Sequence, residues 1–139
     1  MNPSLAGIHL GLVLCLALPA GSGPGPGRTR ATVHEIRLSA NRFVPAETVA
    51  RAGDTVRFVN GNGGPHNIQF FADSLTTTAQ RLLAQAMPGD KVGPLSSPLL
   101  IDQNEAYQFE IPEIPPGRYP YVCLPHFAGN MRGTLIVIP

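Results

Sequence analysis

From Thr32 onward the chain alternates short runs of β-type residues with clusters of turn residues. The runs are Thr32 to Leu38, Glu47 to Ala50, Thr55 to Asn60, Asn67 to Phe71, Tyr107 to Ile111, Arg118 to Cys123 and Thr134 to Ile138. Runs of this length, rich in Val, Ile, Thr, Tyr and Phe and bounded by Gly, Pro and Asn, read as strands, and their number argues for a sandwich. In Thr55-Val56-Arg57-Phe58-Val59 the alternation directs Val56 and Phe58 to the core and Thr55 and Arg57 away from it. In the last run Leu135, Val137 and Pro139 share one face and Ile136 and Ile138 the other. Arg51-Ala52-Gly53-Asp54, Gly61-Asn62-Gly63-Gly64 and Pro115-Pro116-Gly117 mark hairpins or crossovers between runs. One stretch changes period. From Ser74 to Met87, Ala79, Leu82, Leu83 and Ala86 recur at helical spacing, Ser and Thr precede them, and Pro88-Gly89 follows. This predicts a single helix inserted between strands, with its apolar stripe packed on the sandwich.

The amino-terminal segment follows a different logic. Residues Ile8 to Ala20 are almost wholly apolar, and all 19 charged side chains lie at or after Arg28. An apolar run this short, at the start of the chain, is below the roughly 20 residues of a membrane span and suits an export signal. Ala20-Gly21-Ser22 offers a small-x-small cleavage pattern, giving a signal over residues 1–22. Gly21 to Gly27, made of Gly, Ser and Pro, lacks the apolar side chains of a core, so residues 23–31 are expected to be a spacer and residues 32–139 one domain. The expected location is therefore periplasmic or extracellular. Membrane contact would come only through an uncleaved signal or a lipid on Cys15, and the preceding Leu12-Val13-Leu14 puts a bulky Leu where a lipidation signal wants a small residue. The net charge of +1, with no basic run, gives no electrostatic basis for a nucleic-acid partner. Nothing in the pattern calls for a second copy, so a monomer is expected.

Cleavage would remove Cys15 and leave Cys123 as the sole thiol of an exported protein. Exported cysteines usually pair, so an odd one should be buried and inert, reactive, or occupied. Its neighbours favour occupation. The stretch Cys123-Leu124-Pro125-His126-Phe127-Ala128-Gly129-Asn130-Met131 places a thiolate, an imidazole and a thioether on one short loop. With four His and three Met among 139 residues, a given Cys meets His at +3 and Met at +8 by chance about 0.0006 of the time. Upstream, Gly63-Gly64-Pro65-His66 runs from a turn into an apolar segment and supplies a second imidazole. Two imidazoles, one thiolate and a weak thioether are the donors of a copper electron-transfer site. The candidate metal ligands are His66, Cys123, His126 and Met131. His34 lies in the first predicted strand, where a surface or edge role is expected, and His9 lies in the signal.

These residues resemble the cupredoxins, and among them the small blue copper proteins of the plastocyanin/azurin type. Phe43-Val44-Pro45-Ala46-Glu47 and Ala52-Gly53-Asp54-Thr55-Val56-Arg57-Phe58-Val59-Asn60 are similar to the family's early strand pair. Gly64-Pro65-His66-Asn67 is similar to its first ligand turn, and Cys123 to Met131 to its ligand loop at the same spacing. The resemblance covers about residues 32–139. It implies an all-β, Greek-key sandwich of about seven to eight strands, with the helix as an insertion. It also implies one copper ion cycling between Cu(I) and Cu(II), bound by ring nitrogens of His66 and His126 and by the sulfur of Cys123, with Met131 as a long axial ligand. Asn67, beside the first ligand His, would fasten the two ligand loops by hydrogen bonding. Val122 and Leu124 flank Cys123 where plant plastocyanins carry a Tyr, and no acidic cluster is evident, so a plastid photosynthetic role is not implied. The segment Ser74 to Pro98 is longer than its plastocyanin equivalent.

The expected function is that of an exported one-electron carrier between protein redox partners. Four protein ligands would leave no open position for a substrate, unlike catalytic metal centres, so an enzyme is not expected. The competing class is a periplasmic copper protein for storage or delivery. Such a protein would favour exposed Met- or His-rich ligands, whereas Met1 and Met87 lie outside this set.

Overall fold

The computed structural model describes residues 30–62 and 64–139. The expected export signal, with Cys15, and nearly all of the expected Gly/Pro spacer lie outside the described residues. Among the described residues eight strands form two sheets: β1 (Val33–Ser39), β2 (Arg42–Val44), β3 (Glu47–Arg51), β4 (Thr55–Asn62), β5 (Gln69–Phe70), β6 (Ala106–Glu110), β7 (Gly117–Val122) and β8 (Arg132–Ile138). The first sheet has the order β2-β1-β4-β6 and the second β3-β8-β7-β5. Pairs β1/β4 and β3/β8 are parallel, and the others are antiparallel. This is the all-β sandwich with one inserted helix that the sequence pattern implied. The turns at Arg51–Asp54 and Pro115–Gly117 are crossovers from sheet to sheet, because each joins strands of different sheets.

The alternation read in the sequence sets the core. Val56 and Phe58 of β4 are buried, as are Leu135 and Val137 of β8, while Ile136 and Ile138 stay partly exposed on the other face and Pro139 is exposed. Tyr121 of β7 stands at the centre, its ring 4.8 Å from Phe43, 5.5 Å from Phe58 and 5.5 Å from Phe70, all in edge contacts. Each such pair adds about 0.5–1.5 kcal/mol beyond the area it buries. That cluster explains β2, a three-residue strand the sequence pattern did not mark: its function is to carry Phe43 into the core opposite Tyr121.

Two elements are shorter than predicted. The helix α1 spans Thr77–Ala86, because Ala72–Ser74 forms a separate 3₁₀ turn and the Thr76 hydroxyl caps the helix by accepting from Ala79 N at 3.2 Å. Its stripe packs as expected, with Ala79 and Leu83 buried and Leu82 and Ala86 half-buried against the sandwich. Strand β5 keeps only Gln69 and Phe70, since Ile68 exchanges hydrogen bonds with Ser97 instead of with a strand.

At the start of β4, opposite the end that leads to His66, Asp54 ties three segments together. Its carboxylate accepts from Thr32 N at 2.8 Å and Arg51 N at 2.9 Å, and lies 3.0 Å from His34 Nε2. His34, half-buried in β1, thus serves this structural contact, away from the other described histidines. Burial alone would raise the Asp54 pKa, but the His34 contact and the two backbone N–H bonds outweigh it and hold the pKa below its ordinary value. Asp54→Ala is expected to destabilise the domain by about 2 kcal/mol, measured by urea denaturation, because two backbone donors lose their acceptor. A lowered folded-state pKa means that the contribution is present above the ordinary value of 3.8 and is lost as pH falls through the depressed folded value. The gap between wild type and variant should therefore close only in strong acid.

Candidate metal centre

Two connections meet at the far end of the sandwich. His66 lies between β4 and β5, and its backbone bridges Leu100 in both directions, donating at 3.0 Å and accepting at 2.7 Å. Cys123 directly follows β7, and Met131 directly precedes β8. The loop between them is wound tight by its own backbone: Cys123 N donates to Met131 O at 3.1 Å, and both Gly129 N and Met131 N donate to His126 O at 3.0 and 3.2 Å. Asn130 makes the turn in the left-handed region, at φ 59°.

This geometry brings the sulfur and the two imidazoles together. Cys123 Sγ is 3.6 Å from His66 Nδ1 and 3.4 Å from His126 Nδ1, and the two rings lie 4.6 Å apart with a 36° tilt. One ligand atom from each of the three residues falls within 4.8 Å of the others, a spacing that fits a single ion. Met131 is wholly buried on the same loop, joined to Cys123 and His126 through its main chain. His66 and Cys123 are also fully buried. His126 is half-buried, and Leu124, Pro125, Phe127, Ala128 and, beside His66, Pro65 are exposed around it. Among the described residues this is the one group of three or more His, Cys, Asp or Glu side chains close enough to hold a metal.

The protonation states follow from the surroundings. His66 Nε2 is 2.9 Å from the Asn62 carbonyl, which can only accept, so Nε2 carries the proton and Nδ1 offers its lone pair toward Cys123. Burial lowers the His66 pKa, the Asn62 bond opposes that, and the neighbouring His126 adds to the lowering. The imidazole is thus neutral and ready to ligate. Burial pushes the Cys123 thiol up, against hydrogen bonds from the backbone N–H groups of Asn67 and His126. A bound cation reverses that balance and makes the thiolate its ligand.

Asn67 links the two loops, as the resemblance implied: its Oδ1 accepts from Leu124 N at 2.8 Å. No sequence signal marks Asn62, which acts through its carbonyl and so through no side-chain identity, or Ser96 and Ser97, which reach the His66 segment from the long connection after α1. Arg132 was also unmarked. Its guanidinium lies 4.9 Å from the centroid of Phe127 and 5.8 Å from that of Phe71, a cation–π contact at the rim of the site.

Fold and donor set together define a copper-binding β-sandwich. The family described as copper binding proteins, plastocyanin/azurin family, matches residues 32–138. Plastocyanin of Scenedesmus fuscus is 34% identical over 95 residues, which are 68% of this chain and 85% of that protein. The chloroplastic plastocyanin of Chlamydomonas reinhardtii is 35% identical over 98 residues, which are 70% of this chain and 59% of that protein. Oxidised plastocyanin from the fern Dryopteris crassirhizoma superposes with a TM-score of 0.60 at 25% identity, over 76% of this chain and 100% of that one. An oxidised amicyanin variant shares the fold, with a TM-score of 0.51 at 24% identity over 81% of this chain and 86% of that one. The chain belongs to the plastocyanin/azurin family of copper-binding proteins, and copper is its metal.

Proposed function

We propose that this protein is an exported one-electron carrier that holds one copper ion between His66 Nδ1, Cys123 Sγ, His126 Nδ1 and the thioether of Met131. The observation that carries the reading is the convergence of Cys123 Sγ with the two Nδ1 atoms in a buried pocket with one half-buried imidazole. Copper supplies the one-electron couple. The protein supplies rigidity: ligands held by strand ends and a hydrogen-bonded loop move little between oxidation states, which keeps the reorganisation barrier low. His126 is the electron port, and the exposed apolar side chains around it form the contact with protein partners. Protein ligands fill the site, which leaves no position for a substrate and argues against an enzyme. Export rests on the apolar, uncharged start of the chain. No helix among the described residues is long and apolar enough to cross a membrane.

Addition of Cu(II) to the purified domain should give one equivalent of bound copper and an intense visible thiolate-to-copper band. A protein that takes up copper without colour would refute the site. The axial role of Met131 has its own test. A thioether favours Cu(I) more than an amide oxygen does, so Met131→Gln should keep copper and lower the reduction potential. A tenfold gain in relative Cu(II) affinity would read as about 59 mV in voltammetry. An unchanged potential would remove Met131 from the ligand set.

A further inference from the structure

The longer connection between α1 and β6 does more than cover the sandwich. Ser96 and Asn67 are both fully buried, and Asn67 Nδ2 donates to Ser96 Oγ at 2.9 Å. Ser96 Oγ in turn donates to Ser97 O at 3.0 Å. The direction of each proton is fixed. Because Asn67 Oδ1 accepts from Leu124 N, its amide nitrogen must be the donor to Ser96, and the Ser96 hydroxyl hydrogen is left for the Ser97 carbonyl. The chain of bonds therefore runs from the post-helix segment, through the Asn67 side chain, to the backbone immediately after Cys123. The backbone N–H of the same Asn67 also acts on the Cys123 sulfur, opposing the upward push of burial on its thiol. One residue thus controls both a donor to the sulfur and the position of the loop that carries it, and Ser96 decides the plane in which that residue's amide lies.

We infer that Ser96 is a positioning residue for the copper site, setting through Asn67 the hydrogen bonding around the Cys123 sulfur. The inference rests on the proposed ligation by His66, Cys123 and His126. Hydrogen bonding at the cysteine sulfur tunes the potential of His₂Cys copper sites, and partners outside the ligand set typically alter metal affinity about 10–100-fold. Removing the Ser96 hydroxyl leaves a buried amide donor without an acceptor. Asn67 then turns or shifts, its grip on Leu124 loosens and its N–H···S bond weakens. A sulfur with less hydrogen bonding donates more strongly and favours Cu(II), so the potential falls.

The neighbouring serine supplies the control. Ser97 Oγ accepts from Ile68 N at 3.0 Å and donates to Pro98 O at 2.8 Å, but makes no bond to Asn67. Loss of its hydroxyl should loosen the same connection without touching the path to sulfur. The experiment compares wild type, Ser96→Ala, Ser96→Thr and Ser97→Ala by voltammetry with copper bound and by amide hydrogen exchange of Leu124 in the copper-free protein. Ser96→Ala is expected to lower the potential, weaken copper binding by roughly tenfold and speed Leu124 exchange. Ser96→Thr and Ser97→Ala should stay near wild type in potential. A Ser96→Ala potential equal to wild type overturns the inference, and so does a Ser97→Ala shift of the same size, which would reveal general loosening. Should Ser96→Ala fail to fold, Ser96→Thr and Ser97→Ala decide it in the same way: a potential displaced in the threonine variant but keeping its hydroxyl bond, or displaced in Ser97→Ala, is contrary. Failure of the ligand assignment is distinguishable, because wild type itself would then lack the visible band while Leu124 exchange would still respond to Ser96.

Discussion

Cys123→Ser should abolish the visible band of the Cu(II) protein altogether, the largest spectroscopic effect available in this chain. Only a thiolate gives a low-energy charge transfer to Cu(II) of the strength expected here, and Cys123 is the one cysteine among the described residues. Serine keeps the size but offers a hard, protonated oxygen at neutral pH. Copper would retain the two imidazoles, whose Nδ1 atoms lie 3.6 and 3.4 Å from the lost sulfur, and its affinity should fall by more than the roughly 10–100-fold that outer partners cost. Because the substitution removes a buried thiol without changing shape, the copper-free variant should fold as wild type. Equal copper binding, with no colour before or after the change, would move the metal elsewhere.

Most of the architecture could be read because β-strand burial is written locally. The alternation around Val56 and Phe58, and around Leu135 and Val137, names the core faces without knowledge of partners. The loop from Cys123 to Met131 was legible for a similar reason: the turn itself brings Cys123 Sγ within 3.4 Å of His126 Nδ1 and leaves Met131 buried on the same loop. His66 is different. It lies 57 residues from Cys123, and the 3.6 Å approach depends on how the two sheets pack, so residue type and resemblance suggested it but only the fold brings it there. Contacts with no periodic signature were not legible. Strand β2 carries no periodic pattern, only the likeness of Phe43-Val44 to the family's early strand pair, and it exists because Phe43 meets Tyr121, a pairing set by tertiary packing. Gly133 looks like an ordinary strand glycine, yet a Cβ there would fall 2.4 Å from Cε2 of Tyr121 and 2.6 Å from its hydroxyl, so the central ring of the core occupies the space a side chain would need. Ser96 belongs to the same class. Its role comes from one hydrogen bond across 29 residues.

Carrier and delivery protein share ligands, so they must be separated by what moves: the electron or the ion. If His126 passes electrons through its apolar surroundings, a charge placed there must lose water whenever two molecules meet, and the cost appears in the encounter and not in the site. Phe127→Glu is the obvious variant but a blunt one, because the Arg132 guanidinium lies 4.9 Å from that ring and would pair with the new carboxylate. Leu124→Glu is sharper. Leu124 is 43% exposed on the same loop as His126, while its backbone N–H keeps the bond to Asn67. Electron self-exchange brings two such faces together, so the variant should slow it by roughly 10–100-fold, the equivalent of about 1.4–2.8 kcal/mol. The visible band and the rate of copper loss to a chelator should hardly change. Wild type should exchange electrons quickly and release copper slowly, since His66, Cys123 and Met131 are fully buried and no donor leaves without opening a hydrogen-bonded loop. Rapid copper loss combined with slow self-exchange in wild type would reverse the assignment, because a site from which the ion departs faster than the electron is built to hand over copper.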